Sequence, residues 1–258
     1  MKIIEVANYE EMSKTAAEII IKTIHNHPKT VLGLATGGTP KGLYKELIHD
    51  YQRYKTDYSE IKSFNLDEYI GLSPDHPNSY YSYMTEIFFN HVNMKKENIH
   101  IPSGANPSLE EECRSYEEKI NNNGGIDIQI LGIGENGHIG FNEPGTAFDT
   151  KTQVVQLAEM TREANSRYFN SLEDVPTKAI TMGISTIMNA KQLILLVSGE
   201  KKAPALYQLL HSAVMESFPA SILQTHKNVT IIADQDALRF SKTEETKGET
   251  EFVTTILD

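Results

Sequence analysis

Three features of the sequence predict an α/β fold built on a mostly parallel sheet. Short runs of β-branched and aliphatic residues alternate with longer amphipathic stretches along most of the chain, the pattern of parallel strands joined by helical crossovers. Residues 192–197, Gln-Leu-Ile-Leu-Leu-Val, are apolar almost without a break, as a strand covered on both faces must be. Segments rich in glycine, hydroxyl and charge follow four of the strand candidates, where an open parallel sheet forms its ligand crevice.

The elements follow in order. Residues 2–6 read as a strand. Residues 9–27 read as a helix, with Met12, Ala16, Ile19, Ile20 and Thr23 near a 3.6-residue period. Residues 30–35 form a strand and 40–51 a helix; 62–66 form a strand and 79–92 an aromatic-rich helix. Residues 108–122 form a charged helix closed by Gly124-Gly125. Strands follow at 126–131, 179–182 and 192–197, then a helix at 201–211 and a strand at 229–233. No repeat and no Pro/Gly/Ser linker interrupts this order, so residues 1–258 read as a single domain with helices on both faces of the sheet. From about Ser241 the chain turns polar and acidic. This tail is expected to be loosely held or to end in a short strand at 252–257.

Composition narrows the function classes. Of the 258 residues, 39% are hydrophobic and 23% charged, which suits an ordinary globule. No apolar run reaches the roughly 18–20 residues that span a bilayer, so no membrane partner is expected. The first ten residues lack the layout of a secretion signal. Cys113 is the only cysteine, which excludes an internal disulfide and fits a reducing cytoplasm. It sits in an acidic helical stretch with nothing to activate it. A net charge of −11 disfavours nucleic acid as a partner. Any anion must therefore be held by local groups.

The strand ends supply such groups. After residues 30–35 come Thr36, Gly37, Gly38, Thr39 and Pro40. The glycines can turn backbone N–H groups towards a ligand, Thr39 can cap the next helix, and Pro40 suits its first turn. This is not a Walker A loop, because the Gly-Lys-Ser/Thr ending is missing. After residues 192–197 comes Ser198-Gly199-Glu200-Lys201-Lys202, which places Lys202 near that loop. After residues 62–66 comes Asp67-Glu68-Tyr69. A carboxylate there is partly buried at the crevice, so Asp67 is a candidate general base, with Glu68 pointing elsewhere.

The loop after residues 126–131 runs from Gly132 to Pro144. Gly132, Gly134 and Gly137 match the dinucleotide fingerprint letter for letter. That fingerprint requires a helix to open within the glycines, and no apolar helical stripe follows. A catalytic reading fits better. His138 is a candidate acid–base group, and Glu143 can orient its ring and stabilise the imidazolium. Other candidates are weaker. His25 and His27 end a helix before Pro28. Asp234 and Asp236 suit a helix start after the last strand. The cluster Tyr80, Tyr81, Tyr83, Phe88 and Phe89 reads as packing. No set of side chains has metal-ligand spacing, so neither a metal nor any other cofactor is expected.

Taken together, these motifs resemble glucosamine-6-phosphate deaminase. The matching segments are Leu34-Ala35-Thr36-Gly37-Gly38-Thr39-Pro40, Phe64-Asn65-Leu66-Asp67-Glu68-Tyr69, the loop from Gly132 to Pro144, Thr161-Arg162-Glu163-Ala164-Asn165-Ser166-Arg167-Tyr168-Phe169, and Ser198-Gly199-Glu200-Lys201-Lys202-Ala203. They occur in the family's order and span roughly residues 1–240. The resemblance implies a Rossmann-like sheet, a mobile lid around residues 160–169, and isomerising deamination of glucosamine 6-phosphate to fructose 6-phosphate and ammonia, an amino-sugar hydrolase activity. It implies Asp67 as the base moving a proton from C2 to C1, and His138 as the ring opener with Asn136 and Glu143 as its partners. It also implies Thr36, Gly37, Gly38, Thr39, Arg167 and Lys202 as the phosphate site. Arg167 enters only through the resemblance; by itself it is one more helix-surface arginine.

Two departures stand out. Some family members carry Asp where this chain has Asn136, so Glu143 must do more to hold a proton on His138, or less is needed. Allosteric members carry serines and cations after the Asn-Glu-Pro motif. Here residues 145–155 keep only Lys151, with Gln153 and Val155 where cations are expected. The alternatives are a 6-phosphogluconolactonase-like hydrolase, which has no use for Asp67 or Asn142-Glu143-Pro144, and a non-catalytic sugar-phosphate sensor, which has no use for Asp67 with His138. The oligomeric state stays open at this point.

Overall fold

The computed structural model describes residues 1–241 and the backbone of residues 251–254. In chain order the elements are β1 (Lys2–Val6), α1 (Tyr9–Asn26), β2 (Val31–Leu34), α2 (Lys41–Tyr54), β3 (Lys62–Asn65), β4 (Asp67–Tyr69), α3 (Tyr80–Ile87), β5 (Ile99–His100) and α4 (Leu109–Asn122). They continue with β6 (Ile128–Leu131), β7 (Gln153–Gln156), α5 (Glu159–Ser166), β8 (Lys178–Thr181), α6 (Ile184–Met188), β9 (Gln192–Val197), α7 (Ala203–His211), β10 (Val229–Asp234) and β11 (Glu251–Thr254).

The main sheet has the order β11-β1-β10-β9-β6-β2-β3-β5, and its pairings are parallel. Side chains of successive strand residues point to opposite faces, and two separate cores result. Leu193, Leu195 and Val197 of β9 join Tyr116 of α4, Ile187 of α6 and Leu206 of α7 on one face. Ile194 and Leu196 join Met12 and Ile20 of α1, Leu43 of α2 and Met84 of α3 on the other. This accounts for the unbroken apolar run: both faces of β9 are covered. From β2 the chain proceeds to β3 and β5 on one side, while β6, β9 and β10 lie on the other. The strand order therefore reverses between β2 and β6, where a parallel sheet opens a crevice.

A second, antiparallel sheet, β4-β8-β7, stands beside the crevice. Asp67 opposes Thr181 across it, and Tyr69 opposes Ala179. Asp67 therefore does not sit in a loop after the apolar strand. After Leu66, whose N–H donates to the Leu34 carbonyl, the chain enters a new strand in the other sheet.

Local chemistry explains most element ends. Asn8 caps α1 by accepting from the Glu11 N–H at 3.0 Å, and Ser108 caps α4. Gly124 and Gly125 adopt positive φ and close α4. Three expectations are corrected. The segment 79–92 is not one helix, because Phe88 (φ −141°) leaves helical geometry to stack on Tyr44 at 5.1 Å. Helix α2 begins at Lys41, with Pro40 as its cap residue and no side-chain cap from Thr39. The segment after β10 is a turn, not a helix, in which Asp234 accepts from the Ala237 N–H at 2.8 Å.

Strand β11 pairs in parallel with β1 within the expected tail region. The remaining question of how the tail is held concerns residues 242–250 and 255–258, outside the described residues. No helix among the described residues is long and apolar enough to cross a membrane.

Candidate active site

Four adjacent strands, β9, β6, β2 and β3, end on one rim, and the segments that follow them line a cleft of about 300 Å³. Thr36, Gly37, Gly38 and Thr39 follow β2, Asp67 opens β4 just past the end of β3, Asn136 and His138 follow β6, and Lys202 follows β9. Arg167, directly after α5, closes one side. Nine of the ten candidate site residues thus line a single cleft. The tenth, Glu143, stands behind His138 and lines a separate cavity.

The loop after β2 presents donors. Gly37 has a φ of +94°, which L side chains rarely adopt. Among the described residues, the backbone N–H groups of Gly37, Gly38 and Thr39 meet no protein acceptor. The helix terminus next to them contributes less than expected: the Gly42 N–H is taken by the Tyr9 hydroxyl at 2.7 Å. The anion-binding capacity lies in the loop itself. Lys202 adds a cation, and burial holds its ammonium below the ordinary lysine range. The Glu135 carboxylate pushes it back up, and Arg167 adds to the lowering.

The other end of the cleft is acid–base machinery. Asp67 is only 6% exposed, and among the described residues its carboxyl makes no hydrogen bond. Burial, followed by the adjacent Glu68 charge, raises its pKa to about 8. Glu68 points away, as expected. Its carboxylate accepts the N–H groups of Tyr80 at 2.9 Å and Tyr81 at 3.0 Å, which fastens the start of α3 to β4.

His138 is held by its loop. Its carbonyl accepts from the Gly134 N–H at 2.9 Å. Its ring lies so close over Gly134 that a Cβ there would be 2.4 Å away, so Gly134 is required for packing. No helix opens after Gly137, and the dinucleotide reading fails in the structure as it does in the sequence. The Nδ1 of His138 lies 3.5 Å from Glu143 Oε2 without forming a hydrogen bond. Asn136 serves Glu143 rather than the His138 ring: its Nδ2 donates to Glu143 Oε2 at 2.7 Å, while its Oδ1 accepts from the His138 N–H at 3.2 Å. Burial alone would raise the Glu143 pKa, but His138, Thr161 and Asn136 together bring it down to about 2. Glu143 is therefore a fixed negative charge beside the imidazole.

Comparison with known proteins shows the family. Residues 5–232 match the family model described as glucosamine-6-phosphate isomerases/6-phosphogluconolactonase. A glucosamine-6-phosphate deaminase of Thermoanaerobacter sp. (strain X514) is 57% identical over 96% of this chain and 98% of its own length. The enzyme of that name from Halalkalibacterium halodurans is 55% identical over 93% and 97%. The chain belongs to the glucosamine-6-phosphate deaminase family. A solved structure of a monomeric member superposes with a TM-score of 0.91 at 51% identity, covering 93% of this chain and 99% of the other. A 6-phosphogluconolactonase from Trypanosoma cruzi superposes with a TM-score of 0.73 at 20% identity over 92% and 96%, a likeness of fold alone.

The cleft and its supports also contain residues to which the sequence assigned no role there. Tyr80, assigned to packing, lines the cleft beside Asp67. Thr161 of α5 donates to Glu143 Oε1 at 2.5 Å and ties that helix to the His138 partner. Glu135 faces Lys202 electrostatically. Asp234, expected to start a helix, instead accepts from Ser198 Oγ and the Gly199 N–H, bracing the segment that carries Lys202. Cys113 is buried, and burial raises its thiol pKa, as an inert structural cysteine requires. No group of three or more metal-ligating side chains occurs among the described residues.

Proposed function

We propose that this chain binds glucosamine 6-phosphate and converts it, with water, to fructose 6-phosphate and ammonia. The observation that carries this reading is Asp67, a buried carboxyl without hydrogen bonds among the described residues, in one cleft with a histidine from another strand end on the same rim and a cationic, amide-lined recess. A lactone hydrolase has no use for such a carboxyl, and a sensor has no use for it together with His138. The chemistry is an isomerising deamination, which is more specific than the label hydrolase.

The phosphate rests on the amides of Gly37, Gly38 and Thr39, with Lys202 and Arg167 as charge partners and Thr36 at its side. Anchoring at C6 places the other end of the sugar among Asp67 and His138. His138 moves a proton between the anomeric hydroxyl and the ring oxygen, opening the ring. The imidazolium that forms in this exchange is stabilised by Glu143, which Asn136 and Thr161 keep ionised and in place. Asp67 removes the C2 proton, acidified by the open-chain aldehyde, and returns it to C1. Its pKa of about 8 places its affinity for that proton near the working pH, where general bases are most effective. The substrate's own ammonium at C2 favours the ionised carboxyl as the base engages. Hydrolysis of the C2 imine then expels ammonia.

The site draws on residues of one chain, and we infer that residues 1–258 act as one domain and that a monomer suffices, as in the monomeric relative. The segment around α5 acts as a mobile lid, and the working location is the cytoplasm. Neither metal nor redox cofactor takes part in any step. Incubating the purified protein with glucosamine 6-phosphate tests the proposal: ammonia and fructose 6-phosphate appear in equal amounts without added metal. Hydrolysis of 6-phosphogluconolactone with no ammonia from the amino sugar overturns it.

A further inference from the structure

The loop that receives the phosphate is held from behind by three tyrosines on three helices. Tyr44 of α2 donates its hydroxyl proton to the Ala35 carbonyl at 2.5 Å. Tyr83 of α3 donates to the Gly37 carbonyl at 2.6 Å. Tyr9 of α1 donates to the Gly38 carbonyl at 3.0 Å, and its oxygen also accepts from the Gly42 N–H. These residues are 9, 46 and 29 positions away from the carbonyls they hold, so the brace is tertiary and has no local sequence signature.

The consequence follows from peptide geometry. A trans peptide unit is planar, and its C=O and N–H point in opposite directions. Fixing the Ala35, Gly37 and Gly38 carbonyls also fixes the N–H groups of Thr36, Gly38 and Thr39, and the chain contains no cis peptide among its described residues. Those N–H groups have no protein acceptor there. The carbonyls, which would repel an anion, are turned to hydroxyl donors, and the amides of the same peptide units are left for the ligand. Gly37, with its positive φ and no Cβ to restrain it, gives the loop freedom that such a brace would remove.

We propose that Tyr9, Tyr44 and Tyr83 are positioning residues that preorganise the loop 35–39 for phosphate by holding its carbonyls away from the cleft. This rests on the reading of that loop as the phosphate site. The brace lowers the ordering cost of anion binding and leaves the acid–base end untouched. It acts on ground state and transition state alike, so its loss appears in KM and leaves kcat in place.

Tyr44 is wholly buried, so its substitution also disturbs the core; Tyr9 and Tyr83 are partly exposed and make the cleaner test. Tyr9→Phe and Tyr83→Phe each remove one hydroxyl and keep the ring. Each variant is expected to raise KM for glucosamine 6-phosphate about 3- to 10-fold, the range of a single neutral hydrogen bond. The competitive inhibition constant of inorganic phosphate rises by the same factor, and kcat stays within twofold. The double variant shows the larger effect. Lys202→Ala, measured alongside, separates the two hypotheses. If it weakens phosphate inhibition while both Tyr→Phe variants leave it unchanged, the phosphate site stands and the brace is refuted. If Lys202→Ala also leaves it unchanged, the phosphate site itself is misplaced and the proposal falls with it. A fall in kcat at constant KM in the tyrosine variants also refutes the brace.

Discussion

The two ends of the cleft solve opposite problems. At the phosphate end the donors are backbone amides and two long cations, one of them exposed, on segments after β2, β9 and α5. Their task is to hold a permanent charge, and the loop's support comes from hydroxyls behind it. At the acid–base end two carboxyls lie in one neighbourhood with opposite character. Asp67, buried and without hydrogen bonds among the described residues, has its pKa raised to about 8; Glu143, given three polar partners, is held down to about 2. Paired groups whose surroundings drive their pKa values apart are how one site obtains both a proton acceptor and a fixed charge. The protein binds with groups that need no tuning and reacts with groups that are tuned almost entirely by burial and hydrogen-bond count.

The comparison separates most sharply under substitution. Asp67→Asn keeps the shape of the base and removes its ability to take a proton, so kcat should fall ~10²-fold or more with substrate binding nearly intact. Steady-state kinetics checks this, and turnover within a few-fold of wild type places the base elsewhere. At the opposite end, Lys202→Ala and Arg167→Ala should act mainly on KM. Each loses a charge-assisted contact of about 1.5–3 kcal/mol, roughly 10- to 150-fold. An unchanged KM in both variants breaks the division between the two ends.

Stability against pH sharpens it further. The folded-state pKa of Asp67 lies above its unfolded value, so the stability associated with its proton is fully present below about pH 4. That stability is lost as pH rises towards about 8. Asp67→Asn removes the penalty of ionising a buried carboxyl. Its melting temperature should exceed that of wild type by a margin that widens between these limits. Glu143→Gln should show the reverse sense, because a depressed carboxylate contributes stability above its unfolded pKa and loses it as pH falls towards about 2. Thermal melts across this range check both slopes; parallel curves for wild type and Asp67→Asn contradict the assigned environment.

The smallest expected effect is no effect. The cavity behind Glu143 is lined by Gln153, Val155, Gln156, Thr146 and Thr150, with no Lys or Arg. N-acetylglucosamine 6-phosphate should leave half-saturation unchanged and the kinetics hyperbolic. A clear shift on adding it would mean that anion recognition does not need cations at this place.

Much of the cleft was legible in the sequence because it is built from strand ends, and buried strands announce themselves by apolar runs. Thr36, Asp67, His138 and Lys202 each follow such a run, and the parallel sheet gathers them. What escaped lacks a local signal. Strand β4 has three residues and β5 two, too short to show a period. The role of Tyr80 depends on Glu68 accepting its N–H from 12 residues away, and that of Thr161 on Glu143 at 18. Thr39 and Pro40 have the right chemistry for a helix start, but the Gly38–Pro40 turn begins the helix without the threonine cap. Arg167 follows a short polar helix whose pattern carries no mark of the cleft it faces.

The central claim is that Asp67 carries the proton between C2 and C1. Turnover in deuterated water tests it most directly, with wild type and Asp67→Asn side by side and product and residual substrate read by NMR. Wild type should place deuterium at C1 of fructose 6-phosphate, to an extent set by competition between direct transfer and exchange of the carboxyl proton with solvent. Asp67→Asn should yield neither product nor exchange at C2 of the substrate. Exchange at C2 in that variant at a rate near wild type would show that another group removes the proton, and would contradict the account.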